Sequence, residues 1–289
     1  MKDKIEFIFF KSFSLFFKFC GLKLSRKFSF VLAFIFYYLI PIRKSTTIDN
    51  ISKAFPEYDK QKVNKIAFGS YKSFAKTLIE ILYLPWMSTE EIVRTIHIGG
   101  MDVVRKKYNE NNGLILLSAH FGNWEFMAIT VALKMGIPFS VIVKSQRNEY
   151  VTKWLNDVRE RWGNKIVPLG ISIRQIYKEL KDKNIVAMVA DQRGPSDGVR
   201  VNFFGRKASV YSGPAVLALK TKSPIVYGIS VRQKDDNYKT EFEEIELNNL
   251  PENEDEQIVE INQRLTDYLE KYIRQNPEQW LWMHKRWKY

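Results

Sequence analysis

His120 and Glu125 close the run Leu114-Ile-Leu-Leu-Ser-Ala-His120-Phe-Gly-Asn-Trp-Glu125, in which an apolar stretch ends in a histidine, a glycine turn and a carboxylate. An imidazole can take a proton from a hydroxyl, and a carboxylate on its second ring nitrogen fixes the tautomer and stabilises the imidazolium. On one continuous helix, five residues separate two side chains by about 140°, so the pair would not meet. They meet if His120 ends a strand, Gly122 turns the chain and Glu125 sits in the first helical turn with Asn123 as N-cap. The expected chemistry is activation of a hydroxyl by His120, with Glu125 as its orienting partner. A satisfied polar pair without chemistry fits the same spacing.

Other nucleophiles are missing. The chain carries no Gly-x-Ser-x-Gly, no P-loop and no Gly-x-Gly-x-x-Gly. Its one cysteine, Cys20, lies in a Phe-rich segment and cannot form an intramolecular disulfide. No His-x-x-x-His and no paired acidic cluster suggests a metal, and no cofactor is expected. Direct transfer is therefore favoured over a covalent enzyme intermediate.

The elements that would position this pair follow from hydrophobic periodicity. Residues 47–57 read as a short helix stopped by Phe55-Pro56, and Asp59–Leu84 as a long amphipathic helix. From Val93 strands and helices alternate. Strands are expected at 95–98, 113–119, 138–144, 164–168, 184–190, 224–231 and 239–247. Helices are expected at 101–108, 125–135, 149–162, 171–181, 213–220 and 256–274. Such βαβ alternation implies an α/β fold, a mostly parallel sheet flanked by helices. Polar clusters follow two further strands: Lys144 to Arg147, and Asp191-Gln192 to Pro195. In an open α/β sheet these would face the same crevice as His120. Lys144, Arg147, Arg159, Arg161 and Arg193 are candidates for holding a phosphate or an oxyanion, or simply for surface ion pairs. His97 and His284 read as structural.

The chain has 289 residues and a formal charge of +13. Residues 1–76 hold 15 Lys/Arg against 5 Asp/Glu, so most of the excess sits in the first quarter. A basic face attracts nucleic acid, anionic lipid or an acidic protein. Here Lys4, Lys11 and Lys18 recur every seven residues among Phe and Leu, as in a helix lying in a membrane interface. Residues 28–42 follow without a charge, 15 residues where a span needs about 20. A short anchor, a deep interfacial helix and a buried helix of a soluble protein all fit. No small-x-small cleavage site precedes Pro41, so a removed signal peptide is not expected. We read residues 1–45 as a membrane-associated helical segment and 46–289 as the catalytic domain. Nucleic-acid binding is not expected, because no recognised motif accompanies the lysines.

With these residues in hand, the sequence resembles the lysophospholipid acyltransferase superfamily, whose hallmark is a histidine, four residues and an acid. More specifically it is similar to the lipid A late acyltransferase branch. Arg43 with Ile51–Glu57, Asp191-Gln192 with Phe203-Phe204-Gly205, Arg159-Glu-Arg161-Trp-Gly163, and Pro277 to Trp287 each match that branch. The resemblance implies the glycerolipid acyltransferase-like fold, an inner-membrane protein on the cytoplasmic face, and acyl carrier protein as thioester donor. It implies a hydroxyl of a lipid A precursor as acceptor and His120–Glu125 as catalytic dyad. Arg159, Lys144, Asp191, Gln192 and Asn123 are then expected near the substrate. Relatives often carry Tyr-Arg-Pro where this chain has Val143-Lys144-Ser145, so another glycolipid, a phospholipid or an aminolipid stays open as acceptor. A peripheral protein that binds anionic lipid without catalysis is the alternative of a different class.

Overall fold

The structure is a computed structural model that describes residues 1–170 and 173–288. Strands β1 (Ile96–Ile98), β2 (Leu114–Ser118), β3 (Phe139–Val143), β4 (Lys165–Pro168) and β5 (Ile185–Val189) come first in the chain. A hairpin of β6 (Val199–Phe203) and β7 (Arg206–Val210) follows, then β8 (Ile225–Arg232) and β9 (Tyr238–Ile245). All but the hairpin form one seven-stranded sheet in the order β1-β9-β8-β2-β5-β3-β4. Pairing is parallel except between β8 and β9. The C-terminal ends of β2, β3, β4, β5 and β8 therefore open on one edge, where such sheets carry their sites. β2 holds the middle place in that order.

The helices are α1 (Lys2–Phe34), α2 (Lys44–Ala54), α3 (Lys60–Tyr83), α4 (Thr89–Thr95) and α5 (Met101–Asn109). They continue with α6 (Trp124–Met135), α7 (Glu149–Glu160), α8 (Ile173–Lys181), α9 (Gly213–Thr221) and α10 (Glu254–Gln275). The expected α/β order is met to within a few residues at each boundary. For the helix expected at 171–181, residues 171 and 172 lie outside the described residues. Two features were not anticipated. α4 is closed by a Ser88–Glu91 capping box, and the hairpin β6–β7 lies between the strand expected at 184–190 and the helix expected at 213–220, where no element is expected from the sequence.

Every residue of β2 is buried. Alternate side chains point to opposite faces of a strand, and the core divides accordingly. Ile115, Leu117 and Ala119 join a cluster with Tyr71 of α3, Leu269 of α10 and Trp280 and Trp282 of the C-terminal segment. Leu114 and Leu116 join another with Ile92, Val104 and Phe126 of α4, α5 and α6. Both faces are covered, so β2 reads as a continuous apolar run rather than an alternating one.

α1 bends at Gly21, whose φ of 71° lies in the left-handed region that favours glycine. Phe17, Ala33 and Tyr37 are buried. Ser14 Oγ donates to the Leu82 carbonyl at the end of α3 (2.7 Å). The N-terminal half also reaches α7 and the residues just before it: Arg147 pairs with Asp3 (3.0 Å) and Glu6, and Phe10 meets Trp154 of α7 edge-on at 4.9 Å. The outer side leaves Phe9, Phe13, Phe16, Phe19, Phe30 and Phe34 exposed. Among the described residues no helix is long and apolar enough to cross a membrane.

Candidate active site

The chain leaves β2 at Ser118, and four residues later Gly122 turns it into α6. Gly122 has φ +55°, and a Cβ there would lie 1.9 Å from the Ser230 carbonyl oxygen, so no larger residue fits. Both its backbone groups are tied: N–H donates to the Gln279 carbonyl (3.1 Å) and its carbonyl accepts from Thr77 Oγ1 (2.7 Å). Asn123 caps α6 through Oδ1, which accepts from the Phe126 N–H (3.0 Å). The strand–turn–helix geometry expected for the run is present.

The partner of His120 differs from expectation. Its Nδ1 lies 2.7 Å from Asp191 Oδ1, and its backbone N–H donates to Asp191 Oδ2 (3.0 Å). Trp280 Nε1 donates to that same oxygen (2.8 Å). The orienting contact assigned to Glu125 from the spacing therefore belongs to Asp191, just past β5. β2 and β5 are hydrogen-bonded neighbours, with Ser118 opposite Val189, which brings together two residues 71 positions apart. Burial raises the Asp191 carboxyl, but His120 and the Trp280 N–H outweigh it and hold it below the usual carboxylate range. Burial likewise opposes charge on His120, yet the carboxylates of Asp191 and Glu125 raise the imidazole above its ordinary value. The Asp191 side chain is 2% exposed and that of His120 22%, so the buried acid holds a ring that still meets the surface. Trp124 packs edge-on against the imidazole at 4.8 Å.

Glu125 faces Arg159 of α7 in a two-pronged pair: Nη2 to Oε1 at 2.6 Å and Nε to Oε2 at 3.0 Å. The pair is largely buried, and Glu125 keeps Arg159 charged against the burial that would lower it. Planar guanidinium and carboxylate match in this geometry. Glu125 also sits in the first turn of α6, where the helix dipole favours a negative charge.

Beneath the turn lies Glu80 of α3, a fully buried carboxylate absent from the expected site. Four donors converge on it: Arg26 Nε (2.7 Å), Arg232 Nη1 (2.5 Å), Tyr238 OH (2.5 Å) and Asn123 Nδ2 (2.9 Å). Burial would raise its pKa, but the two arginines and the hydrogen bonds hold it below the ordinary value. A signal existed in the sequence: Glu80 follows Thr77 by three residues on the buried stripe of α3, and a charge there needs partners. Which partners was not legible.

The C-terminal segment seals the other side. Phe121 and Trp280 form an antiparallel bridge, and the Leu281 N–H donates to the His120 carbonyl (3.0 Å). Residues 8–289 match the family described as bacterial lipid A biosynthesis acyltransferase. The chain belongs to that family. Among its relatives is a phosphatidylinositol mannoside acyltransferase of Mycobacterium tuberculosis, 26% identical over 164 residues, which are 55% of this chain and 52% of the relative. The chain thus spans about half the length of the mannoside acyltransferases it matches. The lipid A biosynthesis palmitoleoyltransferase of Escherichia coli is 23% identical over 85% of this chain and 79% of its own length. The lauroyltransferase of the same organism is 23% identical over 83% and 77%.

For this member of the lipid A acyltransferase family, the remaining expected site residues separate. Asn123 is buried, with one amide atom on the helix cap and the other on Glu80, so it serves the scaffold and is not presented to a substrate. Gln192 is half-buried beside Asp191, and Lys144 is exposed after β3. A cavity of about 850 Å³ around Lys107, Phe242 and Tyr268 is not this site. It adjoins the end of β9, which pairs with the start of β8, at the sheet edge opposite His120.

Proposed function

We propose that this chain is a membrane-associated O-acyltransferase, moving a fatty acyl group from the thioester of an acyl carrier protein to a hydroxyl of a lipid A precursor or a related glycolipid. The observation that carries this reading is the His120–Asp191 pair at the end of the central strand. With Nδ1 engaged by a buried carboxylate, Nε2 is left to accept a proton from the acceptor hydroxyl. The hydroxyl oxygen attacks the thioester carbonyl as its proton passes to Nε2. The tetrahedral intermediate collapses with loss of the thiolate, and His120 returns the proton to give the free thiol and the new ester. Asp191 stabilises the imidazolium between these steps. Glu125 adds negative potential near the imidazole, and Arg159 fixes the position of Glu125.

The exposed phenylalanines of α1 and the lysines between them support an interfacial seat for residues 1–45 on an anionic membrane. There the site would meet an acceptor that does not dissolve in water, on the cytoplasmic face of the inner membrane.

The test is acyl transfer by His120→Ala, Asp191→Asn and Glu125→Ala variants of the full chain in lipid vesicles, with product followed by mass spectrometry and folding by circular dichroism. Loss of ester product in folded His120→Ala and Asp191→Asn supports the reading. Full turnover by folded His120→Ala defeats it.

A further inference from the structure

Glu80 draws more positive charge than one carboxylate balances. Its Oε1 accepts from Arg26 Nε (2.7 Å) and Arg232 Nη1 (2.5 Å), and its Oε2 from Asn123 Nδ2 (2.9 Å) and Tyr238 OH (2.5 Å). Arg232 alone would neutralise it. Arg26 is nevertheless buried against the same oxygen, and its Nη2, like Arg232 Nε, has no hydrogen-bond partner among the described residues. Burying a surplus guanidinium is costly, so charge balance does not account for Arg26. What Arg26 supplies is a connection, because of the four donors it is the one that comes from α1.

At one end of that connection is the turn. Thr77 and Glu80, one helical turn apart on α3, hold consecutive residues: Thr77 Oγ1 donates to the Gly122 carbonyl (2.7 Å), and Glu80 accepts from Asn123. Arg232 Nη2 donates to Thr77 Oγ1 (3.0 Å) and joins the two contacts. His120 lies two residues before Gly122, and Glu125 two after Asn123. At the other end is the outer face of α1. Phe16, Phe19, Leu24, Phe30 and Val31 flank Arg26 and are exposed, whereas Phe17, Ser25, Ser29 and Ala33 are buried with it. The bend beside Arg26 is held: Ser25 Oγ contacts the carbonyls of Gly21 (2.8 Å) and Phe17 (3.2 Å), and Trp86 Nε1 donates to Ser14 Oγ (3.1 Å). A close-packed interior of this kind passes a displacement on rather than absorbing it.

We propose that Arg26, Glu80 and Asn123 link α1 to the His120 turn, so that contact of the outer face of α1 with an anionic lipid surface sets the position of His120. Arg26 and Glu80 are positioning residues, acting through the backbone of the turn. The effect on turnover rests on the acyltransferase reading; the movement of His120 does not.

Two measurements on the full chain keep these apart. The protein has three histidines, so isotope-labelled imidazoles give three NMR resonances, that of His120 being the one lost in His120→Ala. Bicelles containing phosphatidylglycerol should shift the His120 resonance in the native protein and in Arg26→Lys, which keeps a cation for Glu80, and leave it in place in Arg26→Met. Arg232 still pairs with Glu80 in Arg26→Met, so its circular dichroism should be native; if it does not fold, Arg26→Gln is read in the same way. Sedimentation with the same lipid should be equal in all of these proteins, because Arg26 is buried. A native resonance that does not move overturns the link, as does equal movement in the folded Met or Gln variant. Loss of lipid binding in that variant, or failure of both to fold, makes Arg26 a docking or stability residue and also overturns it. In acyl transfer on phosphatidylglycerol vesicles, a misplaced His120 should lower kcat of Arg26→Met about tenfold with KM changed by less than about twofold. Arg26→Lys should recover most of that loss. Native kcat in Arg26→Met, or a loss confined to KM, overturns the positioning role and leaves the acyltransferase reading intact. If the resonance responds as stated but no acyl group is ever transferred, the link stands and the acyltransferase reading falls.

Discussion

Replacing Asp191 by Asn keeps the shape of the side chain and removes its charge. In the native protein the Asp191 carboxylate accepts from His120 Nδ1, the His120 N–H and the Trp280 N–H. The amide offers one acceptor oxygen and two N–H donors. If its NH2 faces Nδ1, the imidazole must carry its proton on Nε2 and can no longer act as base there. If its oxygen faces Nδ1, the tautomer survives but the imidazolium loses a charge-assisted partner, worth about 1.5–3 kcal/mol. General-base catalysis contributes about 10²–10⁴-fold, so kcat should fall by roughly that range. The pH profile gives the sharper reading. Asp191 and Glu125 raise the native His120 above its ordinary 6.5. The neutral, basic imidazole therefore accumulates as pH rises through that raised value, and the ascending limb of kcat/KM should be centred above 6.5. In Asp191→Asn the burial that opposes charge remains while the main opposing carboxylate is gone, so the limb should move toward acid. Each unit of movement corresponds to about 1.36 kcal/mol. The assay is initial-rate acyl transfer from pH 5 to 9 in both proteins, with folding checked at each pH. A limb that stays in place, or a kcat within threefold of native, would refute the claim that Asp191 tunes His120.

Three further outcomes follow from the same contacts. Glu80→Gln leaves Arg26 and Arg232 buried without their carboxylate, and breaking such a network costs about 3–5 kcal/mol, read as a lower urea midpoint. Because the Glu80 carboxyl is held below its ordinary 4.5, its stabilisation is present above that pH and lost as pH falls through the depressed value; the variant should flatten this acid limb of the stability profile. Arg159→Lys substitutes a point charge for a fork across from Glu125, so activity should fall about tenfold while the thermal midpoint moves by only a few degrees. Replacing Phe9, Phe13, Phe16 and Phe19 together by Ser should abolish sedimentation with anionic vesicles and leave the circular dichroism spectrum unchanged, since these side chains are exposed; vesicle binding that persists would remove α1 from the interface.

The sequence by itself determined the local part of this protein. The apolar run 114–119 has to be buried, Gly122 and Asn123 have to turn and cap, and Glu125 has to enter a helix, because strand period, positive φ and N-cap preference act over a few residues. The alternation of elements likewise settled the α/β class and the edge on which His120 lies. What the tertiary structure decided was the partnership of charges. Five residues of separation pointed from His120 to Glu125, whereas pairing of β2 with β5 delivered Asp191 to the imidazole and left Glu125 to Arg159. Glu80 and Trp280 entered the site in the same way, from a distant helix and from the chain's last segment. A hydrogen bond depends on proximity in space, and proximity across a sheet depends on strand order, which no short stretch of sequence encodes. The residues able to do chemistry were readable one by one; the contacts that orient them appear only once the sheet is assembled.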